Sequence, residues 1–472
     1  MQPSDSNLKQ RRAGWRRGLG FGLGLPAVFL LTATLVYYGE LHLTARASPS
    51  PISALLPQPR AGERLLVIAP HPDDELLGCG GLIQRALKNG AEVTVAVITN
   101  GEAFEPSVAL EERTLEPSRE DYREYAAKRR LESREALRTL GLPDDRLRFL
   151  GYPDKGLATL WSKHWSEPVR TRLAGSEEDP VYRPTGGDLA QDLYALLMET
   201  KPTRVFVTHP LDDHLDHAMS CTFLQAALLR YLTEARQRPR VYGYLIHRGD
   251  WPIPQGRYPE ASLKPPSNFD DRDALYFPLT REETAAKGVA LRSYASQTRL
   301  LGRFLSSFVR ANELFFEVPQ PYRVAHRPIV LGNASEEWAG LEPVSREPVA
   351  DKLVRNIVPG LDVEAVYAAG SAGLLHLRFD MAGRVARSGE YRVLARWFDA
   401  EGQTVHFDEK SIRPSLGAQG ERVYWRSNML EMSLPIPTEN SEWVAIRMET
   451  RLLRLTNDRT PTIFLRLPRL GD

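Results

Sequence analysis

The sequence predicts an α/β fold, a parallel sheet with helices on both faces, followed by a C-terminal β-sandwich and preceded by an N-terminal transmembrane helix. Three observations carry this. From Arg64 to about Glu317, short apolar runs alternate with amphipathic segments of helical period. Beyond about residue 345 the period becomes strict alternation of apolar and polar residues. An uncharged run from Gly18 to Tyr38 follows a basic tail.

The tail, residues 1–17, holds Lys9, Arg11, Arg12, Arg16 and Arg17. A bilayer needs about 20 residues of helix, and residues 18–38 just meet that length. The basic flank would stay in the cytoplasm. The expectation is a single-pass protein of the cytoplasmic membrane with its catalytic part outside, in the periplasm or on the cell surface. A cleavable signal peptide is the rival reading, since Ala45-Arg46-Ala47 has suitably small residues. The arginine and the distance from the apolar run favour an uncleaved anchor. Residues 39–62, rich in Pro, Ser and Ala, read as a linker.

The α/β domain is expected over residues 63–330. Leu65–Ala69 is a continuous apolar run suited to a strand buried on both faces. Asp74 to Asn89 has helical spacing and stops at Gly90. Val93–Thr99, Leu147–Leu150, Arg204–Thr208 and Val241–Ile246 read as further strands. Ala126–Leu140, Leu189–Met198 and His217–Leu232 read as helices between them. In such a sheet, ligands sit at the carboxyl ends of the strands. Residues 345–472 are the expected sandwich, with alternation at Leu375–Phe379, Tyr391–Val393 and Trp443–Met448 and a last strand at Thr462–Leu467. Trp397, Trp425 and Trp443 read as core residues before a sugar-stacking surface.

Composition narrows the partners. Among 472 residues, 61 Lys and Arg balance 60 Asp and Glu, so there is no field to attract a polyanion and nucleic acid is disfavoured. Cys79 and Cys221 are too few for a disulfide framework and read as small core residues.

Two segments carry chemistry. His71-Pro72-Asp73-Asp74-Glu75 follows the first strand, and His71 and Asp74 can reach one cation from a single turn. Alone, the segment could equally be an acidic helix cap. The strand Arg204–Thr208 runs into His209-Pro210-Leu211-Asp212-Asp213-His214-Leu215-Asp216-His217, where three of the chain's ten histidines and three aspartates fall within nine residues. A solvated charge run would use Glu, Lys and Arg instead. Both segments start where a strand ends, which places them at one sheet edge. Gly78, Gly80 and Gly81 lack the order of a dinucleotide loop and suit close backbone approach at the helix start, to substrate among other groups.

HPDDE followed by a distant HxDH resembles the PIG-L/LmbE family of metal-dependent N-acetylglucosaminyl deacetylases. Thr99-Asn100-Gly101-Glu102, Arg129 with Glu132, Phe149–Asp154, and Lys287 with Tyr294, Ser296 and Gln297 add to the resemblance, in the right chain order. It covers about residues 63–317 and implies a Rossmann-like fold and a Zn2+ enzyme, with another divalent metal an option. By that resemblance His71, Asp74 and His217 are the metal ligands and Asp73 is the general base. His214 stabilises the oxyanion as an imidazolium, with Asp216 orienting it, and Arg129 and Asp154 contact the sugar. For His209, Asp212 and Asp213, a place behind the ligands and a helix-capping role stay open. The segment 247–252 is read as a pocket rim or as a packed loop. The implied substrate is an N-acetylated saccharide or glycolipid of the cell envelope. The alternatives are an amidase for a non-saccharide amide such as a thiol conjugate, and a non-catalytic carbohydrate-binding protein.

Overall fold

The computed structural model describes residues 54–468 except 170–183, 236, 250, 268, 348–357, 372, 417–421 and 454. The described residues of 54–252 and 256–468 form one compact unit. The transmembrane helix expected over 18–38 is corrected. Among the described residues no helix is long and apolar enough to cross a membrane, and the segment itself lies outside them. Its four glycines and Pro26 leave the run only moderately hydrophobic. The membrane partner and the extracytoplasmic placement rested on that helix alone and fall with it.

The first sheet has eight strands in the order β1-β7-β8-β6-β5-β2-β3-β4. They are β1 (Ala54–Leu55), β2 (Arg64–Ala69), β3 (Glu92–Thr99), β4 (Leu147–Tyr152), β5 (Arg204–Thr208), β6 (Arg240–Tyr244), β7 (Ala274–Pro278) and β8 (Asn312–Glu317). β6, β5, β2, β3 and β4 run parallel, but β8 is antiparallel to β6 and to β7. The sheet is therefore mixed where a parallel one was expected. An apolar run such as that of β8 reports burial and period, and neither encodes strand direction. Residues 54–60, within the segment read as a linker, run along this domain. Leu56 is buried, Pro57 accepts from Arg204 and Pro59 accepts from Asn89.

β2 shows why its run is apolar throughout. Leu65, Val67 and Ala69 join one core, with α1 (Asp74–Lys88), while Leu66 and Ile68 join the other. The first face is covered by α1 and α3 (Arg119–Thr139). The second is covered by α4 (Leu157–Ser162), α5 (Gly186–Thr200) and α6 (Leu215–Glu234); α2 (Glu105–Glu111) lies between β3 and α3. Capping boxes start α3 at Ser118 with Asp121 and α5 at Thr185 with Asp188. From β2 the chain steps outward to β3 and β4, then crosses to β5 and β6 on the other side. The strand order thus reverses between β2 and β5, the crevice where open α/β sheets bind ligands.

The C-terminal part is two packed sheets. One runs β10-β12-β13-β17-β16 and the other β15-β14-β18-β20-β9, with β11 on the first and β19 on the second. The edge pieces β9 (Tyr322–Arg323), β10 (Ala325–His326) and β11 (Ser345–Arg346) precede the longer strands. These are β12 (Val363–Ser371), β13 (Leu374–Met381), β14 (Glu390–Phe398), β15 (Thr404–Ile412), β16 (Val423–Arg426), β17 (Met429–Pro435), β18 (Trp443–Leu452), β19 (Leu455–Arg459) and β20 (Ile463–Arg466). Val393, Ala395, Trp397, Val444, Ile446 and Met448 point into the core between the sheets. Phe398, Ala445 and Phe464 on the other face join the core of α4, α5 and α6. Strands β14 and β18 are thus buried on both sides. Trp397 is fully buried, with Nε1 donating to Asp408, and Trp425 and Trp443 are partly buried.

The glycines at the start of α1 serve this packing. A Cβ at Gly78 would stand 2.2 Å from Cδ2 of Tyr244 on β6, and one at Gly81 the same distance from Leu279. Both meet core side chains. Gly78→Ala is therefore expected to destabilise the fold by about 1–3 kcal/mol, the usual range for overpacking, read as a lowered midpoint in urea denaturation. An unchanged midpoint would show that the Tyr244 ring gives way freely.

Candidate active site

Five parallel strands deliver one charged or imidazole group each, or more, to their carboxyl ends. β2 leads to His71, Asp73 and Asp74; β3 to Glu102; β4 to Asp154; β5 to Asp212, His214, Asp216 and His217; β6 to His247. His71 Nδ1, His217 Nε2 and an oxygen of Asp74 form a near-equilateral triangle. Its sides are 3.1 Å (His71–Asp74), 3.2 Å (His217–Asp74) and 3.2 Å (His71–His217). The ring centres of His71 and His217 each lie 4.8 Å from that of His214.

The triangle has the dimensions of a cation site. Tetrahedral zinc with bonds of about 2.0–2.1 Å has ligand-to-ligand edges of about 3.3–3.4 Å, close to the separations found. Two ring nitrogens facing each other at 3.2 Å need a proton or a metal cation between them. The field says the same. Against burial, which alone lowers it, the Asp74 and Asp212 carboxylates push His217 up to about 9. Against burial again, Asp154, Asp216 and Asp74 raise His71 well above its usual value. The carboxylates hold a proton where they could hold a divalent ion. The residues fit.

Behind each histidine of the triangle stands a carboxylate, an arrangement that would fix a metal-binding imidazole. Asp154 receives the other nitrogen of His71 at 3.1 Å and the amide of Ala103 at 2.7 Å. Asp212 lies 3.3 Å from His217 Nδ1 and accepts the amides of Ile246 and His247 at 2.9 and 3.0 Å. The His217 pairing is close in distance but misses hydrogen-bond alignment, so it acts as an electrostatic contact. Asp212 also accepts the amide of His214 at 2.9 Å. It serves both readings left open for it, behind the ligand and at the start of the helix. Asp213 receives the amide of Gly249, and His209 is a buried histidine set among Phe269 and Phe316.

Asp73 sits beside the triangle at φ 122°, a strained value for any residue but glycine. Two neighbours hold it there. Glu75, itself buried, accepts the amide of Asp73 at 3.0 Å, the hydroxyl of Ser133 at 2.6 Å and that of Tyr294. Arg129 donates to Asp73 at 3.1 Å, to Pro72 O and to Gly101 O. Burial pushes Asp73 up to about 8, with Arg129 pulling it down and Asp74 and Glu75 adding to the rise.

Three expected positions differ. Arg129 is 4% exposed and grips the loop that carries Asp73; it presents no face to a sugar. Asp154 is likewise buried behind His71. Asp216 does not reach His214. Its oxygens accept the amides of Lys155 at 2.6 Å and Leu157 at 3.2 Å, and one lies 3.8 Å from His71 Nε2. A helix residue two places on from His214 points away from it, and the spacing alone did not show this. His214 Nδ1 has no hydrogen-bond partner among the described residues. Burial, then His217, His71 and His247, lowers its pKa from the usual value, which disfavours the imidazolium expected from the sequence.

Sequence reasoning overlooked Glu102 as a site carboxylate and left His247 at the rim. Glu102 is 1% exposed, and burial and then Asp154 push it up to about 8. His247 stacks on Phe304 at 5.2 Å and lies 5.0 Å from the ring of His217. Its position one step after a strand end was the available signal. Of its segment, Asp250 lies outside the described residues.

Residues 66–228 match the family model described as PIG-L: GlcNAc-PI de-N-acetylase. Over those residues the chain is similar to the PIG-L family. The bond this class of enzyme hydrolyses is an N-acetyl amide. A 1D-myo-inositol 2-acetamido-2-deoxy-alpha-D-glucopyranoside deacetylase of Nocardioides sp. is 27% identical over 277 residues, covering 52% of this chain and 86% of its own length. The enzyme of the same name from Kineococcus radiotolerans is 27% identical over 340 residues, covering 63% and 88%. Among solved structures, the N,N'-diacetylchitobiose deacetylase of Pyrococcus horikoshii is 20% identical, covers 54% of this chain and 84% of its own, and has a TM-score of 0.36.

If Asp154 holds His71 for a metal, Asp154→Asn should weaken divalent-ion binding by about 10–100-fold, the usual effect of removing such a partner. Competition with a chelator measures it. Unaltered affinity would show that His71 needs no help.

Proposed function

We propose that this chain is a zinc-dependent hydrolase that removes the acetyl group from the 2-amino position of an N-acetylglucosamine-type sugar. The triangle of His71, Asp74 and His217 with Asp73 alongside carries the reading. The named substrate of the curated relatives, a 2-acetamido-2-deoxyglucopyranoside, supports the sugar class. A donor set of two nitrogens and one oxygen suits zinc and serves other divalent ions as well. The envelope polymer expected from the sequence depended on the membrane anchor and is not carried further.

A divalent ion in the triangle supplies Lewis acidity to the acetyl carbonyl and lowers the pKa of a water. Asp73 takes the proton as the water oxygen bonds to the carbonyl carbon. Its raised pKa suits it to hold that proton until the C–N bond breaks and the leaving amine receives it. The products are acetate and the free amine. His214, as a neutral imidazole, donates a ring N–H toward the oxygen that gains charge. Arg129 and Glu75 hold the base at its strained angle; Asp154 and Asp212 hold the two histidines.

Acetate release from N-acetylglucosaminides is the assay. Asp73→Asn is expected to lower kcat by about 10²–10⁴-fold, the typical worth of a general base, with metal still bound. A variant as fast as the wild type removes Asp73 from the mechanism.

The pH dependence has a definite sign. The base works ionised, so kcat/KM falls as pH drops through the pKa of Asp73. That pKa lies above the ordinary carboxylate value of 3.8 and, with a cation beside it, below about 8. Arg129 lowers it, so Arg129→Gln should move the acid limb of the metal-loaded enzyme to higher pH. A limb that stays put or moves lower assigns it to another group.

A further inference from the structure

Arg396, on β14, is a buried charge without a counter-ion. It is 2% exposed, and no carboxylate comes within ion-pair reach of it among the described residues. Its guanidinium carbon lies 4.1 Å from the ring centre of Trp165, 4.7 Å from Phe407 and 5.1 Å from Trp161. Its one hydrogen bond to a described group goes from Nη2 to the main-chain oxygen of Trp161. Burial lowers its pKa to about 9. Where packing is the whole purpose, an apolar side chain of similar size fills such a place at no loss. What an apolar residue could not do is grip that carbonyl.

Trp161 lies in the last turn of α4, six residues long and too short to hold its shape unaided. The last carbonyls of a helix lack partners within it, and a cation at that end is favourable. Directly before α4 comes the loop 153–156. This loop supplies Asp154, which holds His71 Nε2, and Lys155 at φ 58°, whose amide holds Asp216. The amide of Leu157, the first residue of α4, holds the other Asp216 oxygen. Asp216 in turn stands 3.8 Å from the same nitrogen of His71. The segment 153–162 thus places both anions on the side of His71 turned away from the metal triangle. Arg396 is anchored at its far end, one helical turn from Leu157.

We propose that Arg396 is a positioning residue of the deacetylase site. The sandwich, through the guanidinium on the Trp161 carbonyl, holds the 153–162 segment so that Asp154 and Asp216 keep His71 turned toward the metal. This rests on the reading of His71 as a ligand. It gives the C-terminal domain a part in the reaction without contact to substrate.

The test uses the full chain, with Arg396→Met, Arg396→Lys, Asp216→Asn and the Arg396→Met/Asp216→Asn pair. A control, Thr462→Val, breaks the 2.9 Å bond of Thr462 to Thr222 at the same domain junction but away from α4. Four quantities are read: zinc affinity by chelator competition, kcat against KM, amide hydrogen exchange at Lys155 and Leu157, and thermal stability. Arg396→Met should weaken zinc binding and lower kcat by about 10-fold, the lower end for loss of a ligand's support, with KM little changed. Exchange at Lys155 and Leu157 should quicken, and Arg396→Lys should restore part of each effect, since an ammonium can still donate to the carbonyl. The double variant should be no worse than Asp216→Asn alone, because both act through one path. Thr462→Val should lose stability and nothing else. Additive effects overturn the proposal, as does an Arg396→Met that loses stability with zinc affinity and exchange unaltered. If Arg396→Met does not fold, Arg396→Lys decides by the same readings. A wild type that binds no zinc overturns the reading of the site itself, and so is told apart from failure of this one.

Discussion

The site depends on a concentration of negative charge that one strand edge could not supply. Asp74, Asp154, Asp212 and Asp216 all face His71 or His217, each within 3.8 Å of an imidazole nitrogen. Four carboxylates in a buried volume repel one another, and with effective dielectric constants near 20 the repulsion amounts to several kcal/mol. Only positive charge makes the arrangement tenable. Protons on the histidines meet part of the need, and a divalent ion in the triangle meets it more fully. The same demand explains why Asp154, Asp212 and Asp216 also accept backbone amides: each amide is a fixed partial charge that needs no mobile counter-ion.

Topology brings the charge together. The reversal of strand order between β2 and β5 opens the crevice, and its two walls carry the two ligand segments. On the β2 side, the turn sets His71 and Asp74 3.1 Å apart and leaves Asp73 outside that pair. It does so by forcing Asp73 to φ 122°, a conformation that costs on the order of 1–3 kcal/mol. Glu75, the next acidic residue, receives three donors from three different elements and holds the turn in place. The run of acidic residues thus divides its labour: one binds, one is kept free, and one is a strut.

The two histidine- and aspartate-bearing segments stood out because they break statistical habit. Three histidines and three aspartates in nine residues do not occur as a solvated face or as core packing. Strand positions were legible because a sheet covered on both faces demands unbroken apolar runs, as in β2. Two kinds of information were not. Strand direction leaves no trace in a periodicity, so nothing in the run of β8 marks it as antiparallel to its neighbours β6 and β7. Side-chain direction beyond a ligand also escaped. Arg129 and Asp154 were recognisable as special, but whether they face the cavity or stand behind its wall is decided by contacts with Pro72, Gly101 and Ala103, all remote in sequence. Asp216 shows the same limit, because two positions along a helix turn a side chain through about 200°.

The sandwich shows how a second domain can become part of a first. A free-standing β-sandwich alternates apolar and polar residues, one face to the core and one to water. Strand β14 departs from this after Arg392, continuing Val393, Leu394, Ala395, Arg396, Trp397 and Phe398, all buried. The departure marks a sheet with two dry faces, one against its partner sheet and one against α4 and α6. Arg447 follows the same logic on β18, donating to the sulfur of Met219 on α6 while paired with Glu449. A surface of this kind could not stay in water without exposing Phe398 and Phe464. The two domains therefore form one compact unit, and the layers around the histidine–aspartate triangle continue from the histidines through Asp216 and α4 into the sandwich.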